Sequence, residues 1–312
     1  MPAGTLRTRP RLIESRQNPR VKELRAALAR TGRTPAGLIA IEGEHLVAEA
    51  LRSHLRFATV FLRDGYQPPF AIPDDAEHLL LSPDVFASAV ATEQPQGIAA
   101  LVHPPVFSPD TYPDTLFRGP ATLILVLAGL QDPGNVGTLL RSAEAFAATG
   151  VLLFPGTASP WNPKALRASA GSAFRVPAIN TTEAEALDLL AEYNIPAIAA
   201  VARSGVSVSA APLAGPCALL IGNEGAGLSD SLIAAAAHRI TIPMPGNVES
   251  LNAAIAGSLL LYEASRRRSD AALPESSSSR PEPQQSLSSR LERSGMERSA
   301  VRTAPRHQHP KS

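Results

Sequence analysis

The sequence predicts an α/β protein of two domains, a small α/β unit followed by one built on a parallel sheet, and three observations carry that expectation. Short apolar or β-branched runs alternate with stretches of helical periodicity along most of the chain. In the second half those runs are continuously apolar, as in A-T-L-I-L-V-L (Ala121–Leu127), the pattern of a strand covered on both faces. Between the halves, H-P-P-V-F-S-P-D-T-Y-P-D-T-L-F-R-G-P (His103–Pro120) has the composition of a stiff, extended linker. The expected division is a basic leader (1–14), a small domain (15–104), a linker (105–118), a parallel-sheet domain (119–268) and a disordered basic tail (269–312).

In the first domain, S-R-Q-N-P-R-V-K-E-L-R-A-A-L-A-R (Ser15–Arg30) predicts a turn at Asn18-Pro19 leading into a helix, because Val21, Leu24 and Leu28 recur at helical spacing. A strand (37–41), a helix (45–55), the β-like run F-A-T-V-F-L (57–62), a strand (79–81), a short helix from Pro83 and a strand (98–102) follow. In the second domain the expected order is strand 121–127, helix 136–148, strand 151–154, helix 163–170, helix 183–193 and strand 196–201. Strand 217–221, helix 230–237, strand 239–242 and helix 251–266 complete it. Such alternation implies a parallel sheet with helices on both faces. From Ser269 onward Ser, Pro, Gln, Arg and Glu dominate, which leaves too little apolar surface to fold.

The 312 residues are 44% hydrophobic, with 29 Lys+Arg, 28 Asp+Glu and a net charge of +1. That near-balance conceals an uneven distribution. Residues 1–33 hold nine basic and two acidic residues, and 266–312 hold ten and five, so the stretch between them has 10 basic and 21 acidic. Basic arms flanking an acidic body suit a phosphate backbone, and basic tails without a specific partner share the same composition; for a nucleic-acid partner, Arg16, Arg20, Lys22 and Arg25 are the candidate contacts in the first arm. No apolar run is long enough to span a bilayer and the N-terminus lacks the apolar core of a signal peptide, so a cytoplasmic protein without membrane contact is expected. The single cysteine, Cys217, excludes an internal disulfide and a thiolate zinc cluster, and no metal is expected.

Three loops of the second domain carry more polar and glycine residues than turns require. The first, G-L-Q-D-P-G-N-V-G-T-L-L-R (Gly129–Arg141), follows a buried strand and opens a helix; Arg141, in an otherwise small and apolar helix, must either snorkel out or meet an anion. The second, L-L-I-G-N-E-G-A-G-L-S (Leu219–Ser229), ends a strand in Gly222, Gly225 and Gly227 around Asn223 and Glu224. It is neither a dinucleotide fingerprint nor a P-loop. In the third, I-T-I-P-M-P-G-N-V-E-S-L-N-A-A-I-A-G-S-L-L-L-Y-E (Ile240–Glu263), prolines stop a β-branched run, Gly246-Asn247 turns the chain, and an apolar helix starts after Ser250. Ser250 is the expected cap, with Asn252 in the first turn. Unpaired amides and polar side chains therefore converge where strands hand over to helices, which is where open α/β sheets bind ligands.

In this order and spacing the three stretches resemble the motifs of the SpoU/TrmH-type ribose methyltransferases of the SPOUT superfamily. The resemblance covers residues 119 to about 266. S-R-Q-N-P-R-V-K, E-G-E-H-L-V-A-E-A (Glu42–Ala50) and T-E-Q-P-Q-G-I-A-A (Thr92–Ala100) are similar to the small L30e-like RNA-binding domain that precedes the catalytic domain in many members. What the resemblance implies is methyl transfer from S-adenosyl-L-methionine to a ribose 2′-hydroxyl of RNA, with ribosomal (23S-type) RNA the expected substrate, transfer RNA the alternative, and no DNA partner. It also implies a C-terminal trefoil knot and a homodimer through the SPOUT domain whose site is completed across the interface. By motif position Asn135, Arg141, Glu224, Ser250 and Asn252 would be the catalytic residues, and Val201, Gly222, Asn223, Ile242 and Leu251 would hold the cofactor. A guanidinium does not deprotonate near neutrality, so Arg141 is expected to grip ribose-phosphate and Glu224 to orient Arg141 or take the proton. Two other readings are an RNA-binding protein on the same fold without catalysis, and an unrelated nucleotide-binding α/β enzyme, which the missing phosphate fingerprint disfavours.

Overall fold

The computed structural model describes residues 12–29, 32–90, 92, 94–108 and 116–272. They build two sheets. The first contains β1 (Leu12–Ile13), β2 (Ile39–Glu42), β3 (Phe57–Arg63), β4 (Glu77–Leu81) and β5 (Ile98–Val102) in the order β1-β4-β3-β5-β2. Its β1/β4 and β4/β3 pairs are parallel, whereas β3/β5 and β5/β2 are antiparallel. Helices α1 (Pro19–Ala29), α2 (Glu44–Arg52) and α3 (Pro83–Ala89) cover it. Val21, Leu24 and Leu28, the periodic positions of α1, are buried with Val85 and Phe86 of α3.

The second sheet has seven strands: β6 (Leu123–Ala128), β7 (Gly150–Leu153), β8 (Ala178–Asn180), β9 (Ala197–Ala200), β10 (Val206–Ser207), β11 (Cys217–Gly222) and β12 (His238–Thr241). Their order is β10-β12-β9-β11-β6-β7-β8, and every pairing is parallel. Burial on both faces explains the continuous apolar runs: Leu123 to Leu127 and Cys217 to Ile221 are each at most 3% exposed. The helices are α4 (Pro133–Ala145), α5 (Pro163–Ser169), α6 (Glu183–Glu192), α7 (Asp230–Ala235) and α8 (Ala253–Ala272). One apolar cluster takes in α4, α8 and one face of this sheet and continues into the first sheet through Ile39, Ile41 and Val102 and into α2 through Val47. A second lies on the opposite face with Ala186 and Leu190 of α6 and Leu232 of α7.

Several expectations are corrected. Strands β1, β8 and β10 are two or three residues long, too short to leave a periodic signature, and β1 falls in the stretch 1–14 expected to be a leader. Helix α8 starts two residues later than expected and runs to Ala272, past the boundary at 268 set for the tail, because Arg266 bridges Glu263 and Asp270 on its surface. The remainder of the expected tail, 273–312, lies outside the described residues, as does 109–115 of the expected linker.

Candidate active site

The three polar stretches meet at the C-terminal edge of the parallel sheet. After β6, Gly129 takes a positive φ of 74°, and Asp132 caps α4 by accepting from the Gly134 amide at 2.9 Å. Lys164 donates to the same carboxylate at 2.6 Å; that contact first, and the Gly134 N–H second, hold Asp132 below the usual carboxylate range. With Pro133 at its first position the helix presents Asn135 in its first turn.

After β11 the chain closes a small loop on itself. Asn223 and Gly227 exchange backbone hydrogen bonds of 3.1 and 2.9 Å, and the Asn223 side chain accepts from the amides of Gly225 and Ala226 at 2.8 and 3.2 Å. The Asn223 amide also donates to the Gly129 carbonyl at 2.8 Å, so this residue staples the second stretch to the first. Gly222 is required by close approach: a Cβ there would lie 2.2 Å from the Gly227 carbonyl carbon and 2.4 Å from the Leu228 nitrogen.

At the start of α8 the cap is Asn252 rather than Ser250. Its side-chain oxygen accepts from the amides of Ala254 (2.9 Å) and Ile255 (3.2 Å), while Ser250 stays exposed two residues upstream. The Asn252 amide then donates to Asn135 Oδ1 at 3.2 Å, and Asn135 Nδ2 donates to Glu224 Oε1 at 2.7 Å. Both ends of this chain fix its direction. An ionised carboxylate only accepts, and the free amides of a helix N-terminus only donate, so each asparagine between them can be oriented in one way. Three sequence-distant stretches are thereby joined into a single relay that ends on an exposed carboxylate.

Beside the relay lies a cleft of about 320 Å³, within the range of small-ligand sites. It opens at the ends of β9, β11 and β12. Val201, Gly222, Asn223, Ile242 and Leu251 all line it, together with Glu224 and Ser250. Ile240, Ile242, Leu251 and Leu260 supply apolar wall, and Gly222 to Gly227 supply backbone groups and the carboxylate, a donor set that fits a nucleoside bearing a charged sulfonium. Met244 and Ala202 also line it and were not singled out from the sequence, where nothing but their place beside the strand ends could have marked them.

Arg141 stands apart. It is exposed, without a hydrogen-bond or ion-pair partner among the described residues, and about a third of a turn around α4 from Asn135. Glu224 is held by Asn135 and not by Arg141, contrary to one of the roles expected for it. Of the four candidate backbone contacts, Arg16 and Lys22 are exposed. Arg20 pairs with Glu23 and Glu77, each at 3.0 Å, and Arg25 ties α1 to α3 through the carbonyl and hydroxyl of Ser88 at 2.7 and 3.0 Å. Helices α4 and α8 pack closely, with Ser142 and Ser258 sharing a 2.7 Å hydrogen bond and Gly257 leaving room for Leu139.

The model of the SpoU rRNA Methylase family matches residues 122–262, and that of the MRM3-like substrate binding domain matches 18–100. The chain is 33% identical over 250 residues to the 23S rRNA (guanosine(2553)-2′-O)-methyltransferase RlmP of Bacillus subtilis (strain 168), spanning 80% of this chain and 97% of that protein. It is 32% identical over 205 residues to the 23S rRNA (uridine(2479)-2′-O)-methyltransferase of Streptomyces viridochromogenes, spanning 62% and 68%. Among solved structures, the SpoU methyltransferase AviRb of Streptomyces viridochromogenes in complex with AdoMet superposes with a TM-score of 0.72 at 28% identity, covering 81% of this chain and 98% of that one.

Proposed function

This chain belongs to the SpoU rRNA methylase family, and from that premise we propose that it methylates a ribose 2′-hydroxyl of ribosomal RNA at the site where Asn252, Asn135 and Glu224 converge. The methyl donor is S-adenosylmethionine. When bound, it supplies a methyl carbon made electrophilic by the attached sulfonium. The observation that carries the assignment of residues is the relay itself, which holds a carboxylate at the mouth of the cleft. Val201, Gly222, Asn223, Ile242 and Leu251 are assigned to holding the donor, since all five line the cleft beside that carboxylate.

The task left to the protein is alignment and the removal of one proton. A ribose hydroxyl becomes strongly acidic once its oxygen begins to bond to the methyl carbon, so a weak base in place suffices. Glu224 fills that role: it is exposed, and Asn135 fixes its carboxylate from one side while the other oxygen stays available. Arg141 carries a guanidinium, a group that does not serve as a base near neutrality, and its planar fork suits the RNA phosphate beside the target ribose. Arg16 and Lys22, exposed near the start of the first domain, are assigned to the RNA backbone at longer range. Residues 15–104 would thus hold RNA and 119–268 perform the transfer.

A second copy of the chain completes the site in this reading. Helix α8 exposes Ile255, Leu259 and Tyr262, which are 54%, 44% and 50% accessible and one turn apart. That apolar stripe starts at the relay, and Arg141 on the adjoining helix is directed to solvent rather than to Glu224 of its own chain. No described helix is long and apolar enough to cross a membrane, and the proposed place of action is the cytoplasm, where ribosomal RNA is found.

The test is incorporation of labelled methyl groups from S-adenosylmethionine into ribosomal RNA, mapped as linkages that resist alkaline cleavage. Label on a base, or none, would sink the assignment. Arg141→Lys keeps the charge and loses the fork; its turnover is expected to fall more than about 100-fold while donor affinity, read by calorimetry, stays within twofold. Turnover near that of the unaltered protein would remove Arg141 from the site.

A further inference from the structure

Apart from the relay, the described residues contain a second polar cluster that links the two halves of the chain, and it lies where the two domains meet. Glu49 of α2 is 4% exposed and is the only carboxylate in the buried class among the described residues. Its Oε2 accepts from Arg175 Nη1 at 2.8 Å, and Oε1 accepts from Arg52 of its own helix. Arg175 follows the 3-10 turn Ser172–Phe174 of the second domain; the same Nη1 donates to Ser53 Oγ at 3.0 Å. Its remaining nitrogens, Nε and Nη2, grip both oxygens of Glu144, the second at 3.0 Å. Glu144 sits in the last turn of α4, three residues beyond Arg141 on the helix that also carries Asn135.

We propose that Arg175 is a positioning residue, which sets the angle at which the first domain presents RNA to helix α4 by bonding Glu49 of the one and Glu144 of the other. Stability gives little reason for the arrangement, because a buried carboxylate such as Glu49 gains little over an apolar residue of the same shape and the partly exposed Arg175–Glu144 pair adds a modest amount. What a guanidinium fork gives is direction, since it accepts two carboxylates only along set lines in its plane. The backbone is shaped to admit Glu49: Ala170 and Gly171 both take positive φ, 49° and 91°, and a Cβ on Gly171 would lie 2.6 Å from Glu49 Cβ. Other contacts cross this seam, among them the shared apolar cluster through Ile39 and Ile41 and Arg33 over the Trp161 ring at 5.6 Å, but they are less directional than a guanidinium fork bonded to two carboxylates.

The inference rests on the methyltransferase reading for its kinetic arm, and its structural arm stands independently. The experiment uses the full chain with Arg175→Lys, which keeps the charge and loses the fork, and with Glu144→Gln as a second variant should the first not fold. Spin labels on Ala26→Cys and Ala234→Cys, both at exposed positions, report the distance between the domains; Cys217 is buried and stays unlabelled. The expected result is a broadened or shifted distance distribution, a KM for ribosomal RNA raised at least tenfold, kcat at saturating RNA within threefold, and donor affinity within twofold. An unchanged distance distribution overturns the proposal, as does an unchanged KM, and so does donor affinity falling in step with KM, which would make Arg175 part of the local fold of the site. Failure of the unaltered protein to methylate RNA would instead count against the methyltransferase reading, and the distance distribution would still decide the role of Arg175.

Discussion

At the level of single residues, the site is decided by who accepts and who donates. Asn135 works because its amide can face a carboxylate on one side and another amide on the other. Asn135→Asp keeps the shape and removes the donor, placing two carboxylates about 3 Å apart, a geometry that forces a proton onto one of them. The expected outcome is a loss of methyl transfer of more than about 100-fold and a new rise in residual activity with pH as the shared proton is lost; an unaltered pH profile would show that the relay is not electrostatic. Asn135, Glu224 and Asn252 were legible because their motif types stand out among small residues. Ser250 was misread as the cap because Ser and Asn cap helices about equally well and lie two residues apart. The engagement of Arg20 with Glu77 and of Arg25 with Ser88 was illegible, since those partners lie more than 50 residues away.

At the level of elements, α8 does three jobs with three sides. Its N-terminus is capped by Asn252, its buried side carries Leu260, Leu261 and Ala264 into the core, and its exposed side shows Ile255, Leu259 and Tyr262. Asn252→Ala removes the cap and should cost about 1 kcal/mol, roughly 2–4 °C in Tm for a domain of this size. Asn252→Ser restores the cap but cannot reach Asn135, so stability should return while methyl transfer stays low; recovery of both would confine Asn252 to a capping role. The C-terminal part of α8 was legible as helix only to Arg266, since apolar periodicity ends there and the partners that hold the later turns lie far away in sequence. In the structure Arg267 donates to the carbonyl of Ala211 at 2.8 Å and Arg268 to that of Gly215 at 2.6 Å, which binds the helix end down.

At the level of the whole molecule, an apolar stripe on α8 and an exposed Arg141 with no partner among the described residues, on the helix packed against α8, are the reason to expect a second copy. Leu259→Arg should shift sedimentation from dimer to monomer and abolish methyl transfer without lowering donor affinity more than about threefold. Monomers that remain active would place a complete site in one chain. That the chain builds two sheets, the second of them parallel, was legible from the alternation of elements and the continuously apolar strands of the second half. Their fixed relation was not, because Glu49, Glu144 and Arg175 are spread over more than 120 residues and each resembles an ordinary surface charge. Periodicity and motif chemistry are local, so the sequence by itself determined which of the longer segments become strands and helices, the parallel character of the second sheet, and the residue types brought to its C-terminal edge. Which oxygen faces which amide, and how one domain is held against α4, depend on distances between remote segments, and only packing of the tertiary structure decides those.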